Sequence, residues 1–161
     1  MFYRRYRWPA RGLVRKPRHV SASATRILNR VFAATSFYLA LFNNRDKHHA
    51  AAVTLLESLR AEIVTTDYVL VELAALMSRG GARSLFVRFV ERLRSDPSTI
   101  LIRTSSDLFD KGIALFAERP DKDWSLTDCI SFTVMPDKDI TEVLACDHHF
   151  EQAGFHVLLN G

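Results

Sequence analysis

Glu72, Asp128 and Asp147 are the residues of this 161-residue chain whose types and settings could do chemistry. Glu72 lies in TTDYVLVELAAL, early in a predicted helix that follows a strand. Asp128 lies in DKDWSLTDCISF, just inside another helix, and Asp147 in EVLACDHHF, directly after a strand. Clustered carboxylates repel one another unless a cation neutralises them. Hard oxygen donors suit Mg²⁺ or Mn²⁺, ions that keep several waters and take substrate phosphates as further ligands. Such an ion lowers the pKa of a bound water and stabilises the leaving oxygen of a phosphodiester. The acidic trio therefore points to metal-assisted hydrolysis.

Each acid also has a plain structural explanation. Ser125-Leu126-Thr127-Asp128 has the form of a capping box, with an acid where Glu or Gln is usual. Asp147 could cap the short helix after it, and Glu72 could be a solvated helix residue. Glu72 resists that reading because Val71 and Leu73 flank it in an otherwise apolar helix, and a buried acid needs a partner or a metal. His48-His49 and His148-His149 are read first as surface residues, since neighbours on a helix point about 100° apart and rarely chelate one ion; a place for His148 or His149 near an RNA backbone is the lesser alternative. Cys129 and Cys146 sit in apolar runs as inert core thiols. Asp121 and Asp123 form a turn after Pro120, one of them assisting a metal from behind its ligands. Trp124 either stacks on a nucleic-acid base or packs its loop on the core. Phe37, Tyr38, Phe86, Phe89, Phe109 and Phe116 fall at helical spacing as core or partner-contact residues.

Alternating strands and helices must position these groups. Short apolar runs at 31–34, 62–65, 99–102, 142–146 and 155–159 read as strands. Helical patterns fill about 36–43, 47–60, 67–79, 82–94, 105–118, 126–135 and 148–153. Ala51, Leu55, Leu56 and Leu59 share one face of the second helix; Val69, Leu73, Leu76 and Met77 share one face of the third. Gly80-Gly81 and Asp96-Pro97 end helices. The alternation predicts one α/β domain, a three-layer α/β/α fold on a mainly parallel sheet of about five strands. In such sheets helix starts gather along one edge, where ligands bind.

The formal charge of +4 hides a split. Residues 1–30 carry nine Lys and Arg and no acid, leaving thirteen basic and eighteen acidic residues in 31–161, a net charge of −5. The basic segment reads as a disordered tail, a leader translated from too early a start, an arm that touches RNA, or a transit peptide; the domain itself is expected over 31–161. An acidic body is no simple electrostatic nucleic-acid binder, but it can hold cations. Two cysteines without C-x-x-C spacing argue against a zinc site or disulfide scaffold and for a reducing, cytoplasmic setting. No segment reaches the length of a membrane span.

VFAATSFYLAL, TTDYVLVELAAL, DKDWSLTDCISF and EVLACDHHFEQAGFHVL resemble, in order and spacing, the motifs of PIN domains, most of all the VapC ribonuclease toxins of VapBC toxin–antitoxin systems. The resemblance covers about 31–159. It implies RNA cleavage with Mg²⁺ or Mn²⁺ held by a quartet of acids, a homodimer, and an antitoxin that blocks the acidic groove. By motif, Glu72, Asp128 and Asp147 match the second, third and fourth acids as catalytic and metal-ligating residues. Thr35, Ser36 and Thr127 match supporting hydroxyl positions, with Asp123 a further supporting candidate. The first acid belongs at Ala34. A deliberate replacement that disarms a toxic nuclease and a natural loss both fit, and the intact flanking motifs favour a single event. The expected chain is a metal-dependent endoribonuclease impaired by Ala34; the alternative is a catalytically silent PIN module that binds RNA or a partner protein.

Overall fold

A computed structural model describes residues 29–159. The expectations for the basic segment therefore lie, up to residue 28, outside the described residues. The sheet has five strands: β1 (Arg30–Ala33), β2 (Glu62–Thr66), β3 (Thr99–Ile102), β4 (Glu142–Leu144) and β5 (His156–Val157). All pairings are parallel, in the order β3-β2-β1-β4-β5. Among the described residues seven helices flank it: α1 (Thr35–Phe42), α2 (His49–Ser58), α3 (Asp67–Leu76), α4 (Ala82–Ser95), α5 (Ser106–Glu118), α6 (Leu126–Asp137) and α7 (His149–Gln152). The expected α/β/α architecture is what the chain adopts, with ends displaced by a few residues.

β1 is central because Val31, Phe32 and Ala33 are apolar on both faces, as a strand covered on both sides requires, and all three are buried. The chain builds outward from β1 to β2 and β3, then returns to place β4 on the other flank of β1, with Ala33 opposite Leu144. That reversal makes the C-terminal ends of β1 and β4 a topological switch point, where the loops leaving two neighbouring strands part and open a crevice.

Helix starts are fixed by side chains. Thr66 Oγ1 accepts from Val69 N at the start of α3, Ser105 Oγ from Leu108 N at α5, and Ser125 Oγ from Asp128 N at α6. Each such cap satisfies an otherwise orphaned amide and contributes about 1 kcal/mol. α5 and α6 approach closely because Gly112 has no side chain: a Cβ there would fall 2.2 Å from Cγ1 of Ile130.

Two expectations about faces need correction. In α2 the buried residues are Ala52 and Leu56, whereas Ala51 is exposed. In α3, Val69, Leu73 and Met77 are buried but Leu76 is 60% exposed and Val71 66%. Phe109 and Phe116, expected as core or partner-contact residues, are 41% and 49% exposed and so are not core. Periodicity marks an apolar stripe but not its edges, which depend on which neighbouring element covers them.

Candidate active site

Ala34 is the residue at which the chain leaves β1. It caps α1 in an extended conformation (φ −88°, ψ 167°), donates its N–H to Leu144 O at 3.0 Å and is only 4% exposed. Unlike α3, α5 and α6, α1 starts without a side-chain cap. A methyl group thus occupies the switch-point position at which Asp would both cap the helix and face the crevice.

The next two residues grip the acids. Thr35 Oγ1 donates to Glu72 Oε2. Ser36 Oγ donates to Asp147 Oδ2 at 2.7 Å and accepts from Cys146 N at 3.0 Å. Asp147 Oδ1 accepts from the backbone N–H of His149 at 3.1 Å. The His149 ring turns back so that Nδ1 lies 3.2 Å from Asp128 Oδ2 and 3.9 Å from Asp147 Oδ1. Asp128 completes the capping box, its Oδ2 accepting from Ser125 N at 2.9 Å. Glu72, Asp128 and Asp147 come from α3, α6 and the turn after β4; His149 links Asp128 to Asp147, which Ser36 also holds, while Glu72 is held separately by Thr35, the residue next to Ser36 in the chain. Glu72 is half-buried, held there by a hydroxyl rather than by apolar neighbours on both sides.

The structural and functional readings of Asp128 coexist, because capping engages Oδ2 and leaves Oδ1 without a hydrogen-bond partner among the described residues. His148 holds the N-cap position of α7 without a side-chain bond, and Asp147, one residue earlier, accepts from the first amide of the helix, His149 N, at 3.1 Å. His149 is the residue sequence reasoning passed over as a surface histidine. Its signal was local: an Asp at a strand-to-helix turn takes the N–H two residues on, which brings that residue's side chain back beside the carboxylate.

Other candidates fall outside the network. Thr127 gives its carbonyl to Ser131 Oγ at 2.7 Å, and no hydrogen bond joins its hydroxyl to the acids. Asp123 is exposed. Asp121 pairs with Arg119 through two 2.8 Å contacts, which hold its carboxyl down at about 2. Trp124 is buried, edge-on to Phe132 at 4.9 Å, with Nε1 donating to Gln152, so the packing alternative is the one adopted. His49 Nδ1 lies 2.8 Å from Ala40 O. Cys129 and Cys146 are free thiols. Burial pushes the Cys146 thiol up to about 12, assisted by the charges of Asp46 and Asp147 and opposed by Lys47.

The donors are hard carboxylate oxygens, the set that suits Mg²⁺ or Mn²⁺. No three His, Cys, Asp or Glu side chains among the described residues converge closely enough to hold an ion. The chemistry of the donors fits a divalent metal, but Glu72, Asp128 and Asp147 do not come together as one three-ligand cluster.

Residues 31–156 match the PIN domain. The chain belongs to the PIN domain family. A PIN-domain relative, the 23S rRNA-specific endonuclease VapC20 of Mycobacterium tuberculosis, is 31% identical over 128 residues, spanning 78% of this chain and 95% of the relative; the protein of a second strain matches equally. The crystal structure of VapC20, described as a Sarcin-Ricin loop cleaving toxin, superimposes with a TM-score of 0.71 at 30% identity over the same shares. PIN nucleases are generally dependent on divalent metals. Among the described residues, no helix is long and apolar enough to cross a membrane.

Proposed function

We propose that this chain is a toxin-type, metal-dependent endoribonuclease whose site is impaired by Ala34. The observation that supports the proposal is that the two residues after β1 each hold an acid, Thr35 holding Glu72 and Ser36 holding Asp147, with His149 linking Asp147 to Asp128. Glu72, Asp128 and Asp147 are the catalytic acids and would hold Mg²⁺ or Mn²⁺. When bound, such an ion supplies an activated water and neutralises charge on the phosphodiester.

The chain's own residues prepare that site. Thr35 fixes one oxygen of Glu72, leaving the other for ligand or water. Ser36 and the His149 N–H hold Asp147 from two sides. Ser125 and His149 do the same for Asp128. Ordering donors in advance matters because orientation behind a ligand changes metal affinity by about 10- to 100-fold. Ala34 contributes no oxygen, so the remaining acids repel one another across an incomplete cage. Thr127 and Asp123 stay supporting candidates of this reading. The partners in this reading are an RNA substrate, a second copy of the chain and an antitoxin, and the setting is the cytoplasm.

Ala34 also favours a second reading, a silent module that binds RNA or a partner protein without cutting. One experiment separates them. Ala34→Asp is incubated with RNA in Mn²⁺ and in chelator. Metal-dependent cleavage well above that of the parent supports the nuclease; intact RNA leaves only the silent module.

A further inference from the structure

An aromatic pair stands at the same sheet edge as the acids and is left open. α3 begins at the end of β2 with Asp67 and Tyr68; β3 ends into Arg103, Thr104 and Ser105. Tyr68 Oη donates to Ser105 O at 3.1 Å, and its ring stacks on Phe109 of α5 with centroids 6.4 Å apart and planes 25° from parallel. Asp67 Oδ2 ties the two loops together, accepting from Thr104 N at 3.0 Å and meeting Arg103 Nε at 3.0 Å. Phe109 nevertheless remains 41% exposed, and the Arg103 side chain 66%. Tyr68 precedes Glu72 by four residues, so the two share a face of α3 with Cβ atoms about 6 Å apart.

We infer that Tyr68 and Phe109 form a platform on which an unpaired RNA base stacks next to the cleavage site, with Arg103 meeting an adjoining phosphate. The inference deepens the nuclease reading and rests on it. Four features meet in the platform. Its rings are braced before any ligand arrives, so little ordering entropy is lost on binding. It offers a π-face, which every base can use. A partly exposed guanidinium lies on the neighbouring loop, suited to phosphate oxygens. The Glu72 carboxylate one helical turn away would repel RNA, so attraction must come from beside it. Together these favour a single-stranded or looped-out nucleotide over an intact duplex, whose bases are already stacked on each other.

The parent chain makes the test direct, because an impaired site lets binding be read without cutting. The probe is a single-stranded oligoribonucleotide carrying 2-aminopurine, titrated with the full chain in metal-free buffer. Binding should quench the fluorophore. Tyr68→Leu and Phe109→Leu should each weaken affinity about tenfold and lose the quench. Tyr68→Phe should stay close to the parent. Arg103→Gln should weaken binding and flatten its salt dependence by about one phosphate contact. Circular dichroism and melting curves check that each variant is folded. The inference is overturned if the Leu variants bind like the parent, if an oligonucleotide with an abasic site in place of the fluorophore binds equally well, or if the Leu substitutions change the mass of the chain in solution instead, which would make the rings a protein interface. Failure of the platform with Ala34→Asp still cutting RNA removes this inference alone. An inert Ala34→Asp removes the nuclease reading, whereas quenching and Leu sensitivity are still read on the parent.

Discussion

His149 and Asp128 meet across the switch point: the imidazole Nδ1 and the carboxylate Oδ2 are 3.2 Å apart although the residues are 21 positions apart in the chain. The same histidine donates its backbone N–H to Asp147, so a single residue ties two acids that lie on different elements. In the Ala34→Asp background, His149→Ala should lower Mn²⁺ affinity by about 10- to 100-fold. His149→Asn, which keeps a side-chain N–H, should recover part of the loss. Calorimetric Mn²⁺ titration reads the difference, and equal affinity in all three proteins would remove His149 from any positioning role.

Ser125 serves both the fold and the site through the capping box with Asp128. Ser125→Ala should cost about 1 kcal/mol in urea unfolding through the lost cap. Ser125→Thr should retain most of it. A variant with unchanged stability would show that the Asp128 side chain and solvent satisfy the α6 amides alone.

Gly112 sets the spacing between α5 and α6. In Gly112→Ala the new methyl would lie 2.2 Å from Ile130 Cγ1, so the buried Ile130 must shift. The cost should be about 1–3 kcal/mol, as for other overpacked cores, measured by the urea midpoint at unchanged slope.

The thiols should be unreactive in the folded chain. Burial raises the Cys129 thiol, with Asp128 adding to it, and pushes Cys146 up to about 12. A raised thiol pKa means less thiolate at neutral pH, and thiolate is the nucleophile. Iodoacetamide at pH 7.5 should modify neither cysteine until denaturant is added. Rapid labelling of native Cys146 would show that the turn after β4 opens in solution.

Much of this protein is legible along the chain because its elements are locally consistent. Apolar runs of strand length, helical periodicity and capping residues such as Ser125 reflect interactions between near neighbours, so they show in one dimension. The strands, the helices and the parallel sheet all follow from that. Ala34 was visible as well, as a methyl where the surrounding motif calls for a carboxylate. Other features exist only once distant segments meet. The burial of Trp124, the exposure of Leu76, Val71 and Phe109, and the turn of His149 toward Asp128 depend on which element covers which. The hydrogen bonds from Thr35 to Glu72 and from Ser36 to Asp147 join residues 37 and 111 positions apart. Sequence determined which groups could do chemistry; the crossing of the chain from one flank of β1 to the other decided which of them touch, because hydrogen bonds act over a few ångströms of space whatever the distance along the chain.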